Sequence, residues 1–340
     1  MAEQRTLAYP GSRPRYVLVT AARDEGERLV RTIAGVRAQT WPPLHWVIVD
    51  DGSADDTAGV VRRHIEGADW ITLVRRTASR PADFASKVFA VRDGLARLEG
   101  LEYDFVGTLD ADIAVDADYF ERLLGVFAGA PRLGIAGGQL VEEYDGRGVR
   151  QRISADSVSG ATQMFRREVF EAIGGLRPVR LGGEDSVAEI MARMRGWEVS
   201  TRFELPVRHQ GRVLSRNKGA LRAWFVRGQA NRGLRYDPVF QLAVSAYRAV
   251  VQPPYLLSGA LMLAGYVAAA ARGTEPALDR DAVAYLRGEQ RRRLWGMIGY
   301  QGGGLTDVRN RWRTQVAWRT GGPGTAAVDG GQHRPSGPRR

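Results

Sequence analysis

The stretch Phe105-Val106-Gly107-Thr108-Leu109-Asp110-Ala111-Asp112 sets two carboxylates around one small residue, directly after the apolar, strand-like run Tyr103 to Val106. Alternate residues of an extended segment point the same way. Asp110 and Asp112 can therefore converge on one divalent cation and on a diphosphate carried by that cation. An isolated Asp-x-Asp also suits a solvated turn, because turns favour Asp. A helix-loop-helix calcium site would use Asp110, Asp112 and Glu121 as its first, third and twelfth positions. That reading fails at the fifth position, Ala114, and at the sixth, where Val115 stands in place of the Gly a sharp turn requires. The rest of the chain decides between the readings.

Upstream, apolar runs alternate with helical patterns. Tyr16 to Thr20 is followed by acidic Asp24, Glu25 and Glu27 and by a helical spacing through Val30, Ile33 and Val36. Trp46 to Val49 stops at Asp50-Asp51-Gly52-Ser53, and a helix is expected from Asp55 to His64. Ile71 to Val74 reads as a third strand and Lys87 to Leu98 as a third helix. This alternation predicts a mainly parallel sheet covered on both faces, with ligands at the carboxyl ends of its strands. Thr20, Asp51 and the Asp110/Asp112 pair then share one crevice. The dinucleotide turn Gly-x-Gly-x-x-Gly is absent after the first strand, where Ala21-Ala22-Arg23-Asp24-Glu25 stands, and neither lysine sits in a Gly-rich phosphate loop. Nicotinamide, flavin and kinase-like chemistry are disfavoured.

With 340 residues, 44% of them hydrophobic, the chain can bury a large core. It has no cysteine, which excludes disulfides, thiolate metal sites and cysteine nucleophiles. Met1 to Arg15 is polar and holds no apolar signal segment, so the expected location is the cytoplasm, with the inner face of the cell membrane as the variant. A net charge of +11 suits nucleic acid, an anionic membrane surface or phosphorylated substrates. No zinc-finger spacing or ribonucleoprotein aromatic motif accompanies it, so nucleic acid is not expected as a partner. Lys87 and Lys218 are the only lysines among many arginines.

Five features in order carry a resemblance: the first strand into Thr20; Val49-Asp50-Asp51-Gly52-Ser53-Ala54-Asp55-Asp56-Thr57; Lys87 through Gly94; Asp110-Ala111-Asp112; and Gly183-Glu184-Asp185. Over residues 15–215 the chain resembles the inverting, family 2 glycosyltransferases of the GT-A fold, of the bacterial polysaccharide and glycolipid type. The resemblance implies an α/β fold of the GT-A, Rossmann-like kind: a mainly parallel sheet flanked by helices, with a C-terminal helical appendage. It implies a metal-dependent enzyme that moves one sugar from a nucleoside-diphosphate sugar, a UDP-sugar being favoured, to a hydroxyl of a glycan or lipid-linked acceptor. It also implies residue roles. Thr20, Ala22, Glu25, Asp51, Lys87, Asp110 and Ala111 would bind the donor, with Asp51 on the base or ribose and Lys87 near the diphosphate. Asp112, Asp110 and His209 would hold Mn²⁺ or Mg²⁺. Asp185, with Glu184 beside it, would be the general base; the same pair also suits helix capping. The chain departs from the pattern at Ala22 and Arg23, where an aromatic residue and Asn are usual. It departs again at Gln229-Ala230-Asn231-Arg232-Gly233, where processive synthases carry Gln-x-x-Arg-Trp. Single transfer is therefore expected over polymerisation. A sugar nucleotidyltransferase and a non-enzymatic basic membrane or RNA adaptor are the alternatives.

The organisation expected is an extension over residues 1–14, a catalytic domain over 15–228, a helical region over 229–300 and a basic, Gly/Pro-rich, largely disordered tail over 301–340. Tyr255 to Ala271 is an uncharged apolar run that reads as a membrane span, an interfacial segment or a buried helix. Ala282 to Met297 alternates apolar and basic positions, which suits either a peripheral membrane contact or a helix packed on the catalytic domain.

Overall fold

A computed structural model describes residues 13–77, 84–144, 147–151, 153–210 and 218–298. The expected tail over 301–340 lies outside the described residues.

The chain opens with β1 (Tyr16–Ala22), α1 (Gly26–Arg37), β2 (His45–Asp50), α2 (Thr57–Ile65), β3 (Ile71–Arg75), α3 (Phe84–Ala96) and β4 (Phe105–Leu109). These four strands pair in parallel in the order β3-β2-β1-β4. Their sequences are near-continuous apolar runs because both faces are covered. Tyr16, Leu18, Trp46 and Ile48 enter one core with Leu29 and Ile33 of α1, while Val17, Val19, Val47 and Val49 enter the other with Val88 and Val91 of α3. The strand period of two thus feeds two cores from one strand. Gly94 lets α3 lie close on the sheet, since a Cβ there would stand 2.6 Å from a Val19 methyl.

The second half adds β5 (Ile113–Ala114), α4 (Tyr119–Gly129), β6 (Leu133–Tyr144), β7 (Arg147–Arg150), β8 (Thr162–Arg166), α5 (Arg167–Ala172), α6 (Glu184–Met194) and β9 (Glu198–His209). Among the described residues the sheet has nine strands in the order β3-β2-β1-β4-β8-β6-β9-β5, with β7 on β6. The β4/β8, β6/β8, β6/β7 and β5/β9 pairs are antiparallel, whereas β6/β9 is parallel. The sheet is thus mixed, its parallel half being the one that the alternation of strands and helices announces.

Four helices follow: α7 (Lys218–Gly233), α8 (Pro238–Val251), α9 (Leu257–Ala271) and α10 (Arg280–Ile298). The boundary expected after residue 228 falls inside α7, and the chain groups as Met1–Arg291 and Arg292–Arg340. Among the described residues no helix is long and apolar enough to cross a membrane. The run Tyr255 to Ala271 is the fifteen-residue α9, with Ser258, Gly259, Met262, Gly265, Tyr266 and Ala269 buried.

Several expected bounds shift. The strand read from Tyr103 to Val106 runs from Phe105 to Leu109. Gly107 interrupts the apolar pattern, yet a Cβ there would come within 2.6 Å of Leu18, so the close approach of β1 to β4 calls for Gly. The strand expected to end at Thr20 continues to Ala22, held by parallel pairing of Ala22 with Asp50. The helix expected from Lys87 starts at Phe84.

Candidate active site

The carboxyl ends of β1, β2 and β4 bring acidic loops together. Asp24, at a left-handed φ of 56°, accepts the Ala54 N–H at 2.7 Å, while its own N–H donates to the Ser53 hydroxyl at 3.0 Å. Asp55 accepts the Gly26 N–H at 3.3 Å, and the Glu25 N–H donates to the Thr57 hydroxyl at 3.1 Å. These bonds staple the loop after β1 to the loop after β2 and fix where Glu25 and Asp51 stand.

Asp51 is 7% exposed. One carboxylate oxygen meets the Arg76 guanidinium and the other accepts the Ser86 hydroxyl at 2.5 Å. Its N–H donates to the Ala22 carbonyl at 2.9 Å. Thr20 is fully buried, and its hydroxyl accepts the Trp46 indole N–H at 3.0 Å. Thr20 therefore faces the core, and Asp51 meets the crevice already paired. Arg76 and Ser86 escaped the reading of the sequence. The signal for Arg76 was its place just past the carboxyl end of β3; Ser86 had none, being 35 positions from Asp51.

The Asp110-Ala111-Asp112 turn splits its two acids between two partners. Asp110 pairs with the Lys87 ammonium at 2.5 Å, and that ammonium also donates to the Gly160 carbonyl at 3.2 Å. Asp112 lies 3.0 Å from His209 Nε2. The ladder explains the second pair: Ile113 stands opposite His209 in β5/β9, and the Gln210 N–H donates to the Asp112 carbonyl at 2.8 Å. Ala111 is buried, and its carbonyl accepts the Thr32 hydroxyl at 2.7 Å. The side chains of Asp110 and Asp112 are 31% and 19% exposed, so both remain open to a ligand.

Gly182 and Gly183, at φ of 81° and 104°, turn the chain into α6, so Glu184 and Asp185 occupy its first helical turn. The Asp185 carboxylate accepts the Ser186 N–H at 2.7 Å. Gly160 leaves it room, because a Cβ there would stand 3.0 Å from an Asp185 oxygen. The N-cap residue is Gly183 and no side chain caps it, so Glu184 and Asp185 serve the helix through its dipole and not as caps.

The charges interlock. Burial pushes the Lys87 ammonium down, but Asp110, Glu184 and Asp185 together hold it above its ordinary value, so it stays cationic. Burial raises the Glu184 carboxyl against the pull of Lys87. Burial likewise raises Glu25, Arg28 opposes that by ion pairing at 2.6 Å, and Asp112 adds to it. Glu142 stands opposite His209 in the β6/β9 register; burial raises it and His209 pulls it down.

Glu189, one turn beyond Asp185 on α6, is 3% exposed. It accepts the Val158 N–H at 2.7 Å and the Ser157 hydroxyl at 2.9 Å. Burial pushes its carboxyl up to about 8, and Asp185 adds to the push. A carboxyl whose folded pKa lies above its unfolded value contributes stability that is full below the unfolded pKa and is lost as pH rises through the folded one. Wild-type protein should therefore lose stability progressively as pH rises from about 4.5 to about 8. Glu189→Gln should flatten that decline by a few degrees, at about 2–4 °C per kcal/mol; thermal melts across the pH range read it, and equal slopes would contradict it.

Two carboxylates and an imidazole at the carboxyl ends of parallel strands, facing a lysine and a helix-opening acid pair, sit on a sheet of the GT-A class. Residues 17–181, just under half of the chain, match the family described as Glycosyl transferase family 2. Poly-beta-1,6-N-acetyl-D-glucosamine synthase of Staphylococcus aureus (strain COL) is 30% identical over 118 residues, which are 35% of this chain and 26% of that one. The chain thus matches about a quarter of that curated relative's length. Among solved structures, the mannosyltransferase PcManGT from Pyrobaculum calidifontis, in complex with GDP-Man and Mn²⁺, superposes with a TM-score of 0.53 at 22% identity. That superposition covers 92% of this chain and 86% of the other, and it shows the fold.

Proposed function

We propose that the protein is an inverting glycosyltransferase that moves a single sugar from a nucleoside-diphosphate sugar to a hydroxyl of a glycan or lipid-linked acceptor in cell-surface polysaccharide biosynthesis. The observation that carries this reading is the single crevice in which Asp112 meets His209, Asp110 meets Lys87, and Lys87 feels Glu184 and Asp185.

Asp112 and His209 would hold Mn²⁺ or Mg²⁺. Carboxylate oxygen and imidazole nitrogen suit such cations, and the 3.0 Å between the two donor atoms is a separation that neighbouring ligands of one cation share. Among the described residues no group of three or more such side chains could hold the ion alone, so a cation held by Asp112 and His209 would need further oxygen ligands from its substrate. When bound, the cation offsets negative charge on the departing diphosphate.

The chain's own residues do the rest. Asp51, braced by Arg76 and Ser86, and Glu25 face the nucleoside. Lys87 sits where negative charge grows as the sugar–phosphate bond breaks, and its point charge stabilises the leaving group. Asp185 takes the proton of the acceptor hydroxyl as its oxygen bonds to the anomeric carbon, and the diphosphate leaves with the electron pair of the broken bond. Attack from the face opposite the diphosphate inverts the anomeric centre.

Incubating the protein with a panel of nucleoside-diphosphate sugars and Mn²⁺, UDP-sugars first, should release nucleoside diphosphate from one of them by slow transfer to water. Chelation with EDTA should stop the release. Turnover unaffected by EDTA would refute the metal-dependent reading.

A further inference from the structure

Among the last helices of the Met1–Arg291 unit, α8 is packed with reversed polarity. In α8 the buried residues are Gln241 and Ser245, whereas Val239, Leu242 and Val250 face outward. The inward polar groups satisfy one another: Asn231 donates to Gln241 at 2.8 Å, and Gln241 donates to Ser245 at 3.0 Å. Between helices the contacts run through glycine. A Cβ on Gly228 would fall 1.9 Å from the Met262 carbonyl, one on Gly265 2.0 Å from that of Phe225, and one on Gly259 2.2 Å from that of Ser245. Helices in water bury apolar side chains and expose polar ones. Backbone contact at small residues with polar groups inside is how helices pack when lipid surrounds them.

Four of the outward apolar residues gather at one end. The α8–α9 turn exposes Val250 (72%), Tyr255, Leu256 (75%) and Leu257. The Arg248 guanidinium lies 6.0 Å from the centre of the Trp224 ring, which brings the start of α7, with exposed Arg222, to this same end. From residue 238 to 274 the chain has no acidic residue. Aromatic residues and arginine beside exposed aliphatics are the composition of a membrane-interface contact.

We propose that the α8–α9 turn docks on an anionic lipid bilayer, with Val250, Tyr255, Leu256 and Leu257 entering the headgroup boundary and Arg222 and Arg248 meeting lipid phosphates. The helices are too short to go further. α9, at fifteen residues, spans about 22 Å at 1.5 Å per residue, against the roughly 30 Å of a hydrocarbon core. A second copy of this chain fits the face less well, because Arg222 and Arg248 would approach like charges across a twofold axis. At the foot of α7, Leu234 lies 3.7 Å from the position a Gly183 Cβ would take, so the docking helices touch the turn that carries Asp185. Such a contact suits a lipid-linked acceptor, and this last step alone rests on the transfer reading above.

Flotation of the full chain with phosphatidylcholine vesicles, with and without phosphatidylglycerol, tests the docking without any appeal to turnover. The full chain should float with the anionic vesicles at least tenfold more than with the neutral ones. Val250→Glu/Leu256→Glu should cut that binding at least tenfold while leaving the thermal melt unchanged, since both positions are exposed. A chain that stays unbound to either vesicle, a double variant that floats like wild type, or equal flotation with both vesicles would each overturn the proposal. So would a non-floating dimer that the double variant converts to monomer.

Discussion

Asp185→Asn should retain donor binding and lose transfer by roughly 10²–10⁴-fold in kcat, the range that a positioned general base supplies. The substitution keeps the size of the side chain and an oxygen for the Ser186 N–H at 2.7 Å, so the first turn of α6 stays formed. It also leaves the space opposite Gly160 filled as before. What disappears is the group that accepts the acceptor's proton. The donor side, Asp51 with Arg76 and Asp112 with His209, is untouched. The expected signature is a wild-type nucleotide affinity beside a depressed kcat, read by a binding titration and a transfer assay on one preparation. Native-rate transfer by Asp185→Asn would show that another group takes the proton.

Asp112→Ala should cost at least ~100-fold in Mn²⁺-dependent affinity for the nucleoside diphosphate, because loss of even an outer partner of a metal site costs about 10–100-fold. His209 then loses the carboxylate at 3.0 Å and is left as the single protein donor of the pair. Stability should change little, since partly exposed ion pairs contribute about 0–1 kcal/mol. Isothermal titration with and without Mn²⁺ separates the cases. Loss of the metal-dependent part alone fits the assignment, and unchanged affinity in Mn²⁺ contradicts it.

The parallel half of the fold was legible because a strand buried on both faces has to be apolar throughout: Trp46 to Val49 and Tyr16 to Val19 divide their side chains between two cores. The positions of Asp110 and Asp112 were legible for a related reason, since a parallel sheet exposes its strand ends. Their partners were not all legible. His209 was named through the family resemblance alone, because it meets Asp112 across the β5/β9 ladder, a pairing of a two-residue strand with one almost a hundred positions later. Ser86 and Arg76 reach Asp51 from two further elements. Glu189 reads as an ordinary helical acid until the Val158 N–H and the Ser157 hydroxyl are seen to enclose it. The polarity of α8 was also hidden, because a spacing pattern says which residues share a face but not which face is covered. Gln241 and Ser245 share one face, and only the packing of α7 and α9 shows that it is the inner one.

Donor binding as proposed depends on a metal-dependent nucleotide-sugar site centred on Asp112. Thermal melting against a panel of nucleoside diphosphates and nucleotide sugars, with and without Mn²⁺, tests it most directly, because a ligand that binds only the folded state raises the melting temperature. The expected result is a shift with one nucleotide class that requires Mn²⁺ and vanishes in Asp112→Ala. A well-folded protein that no nucleotide stabilises in Mn²⁺, or one stabilised equally in Asp112→Ala, would contradict it.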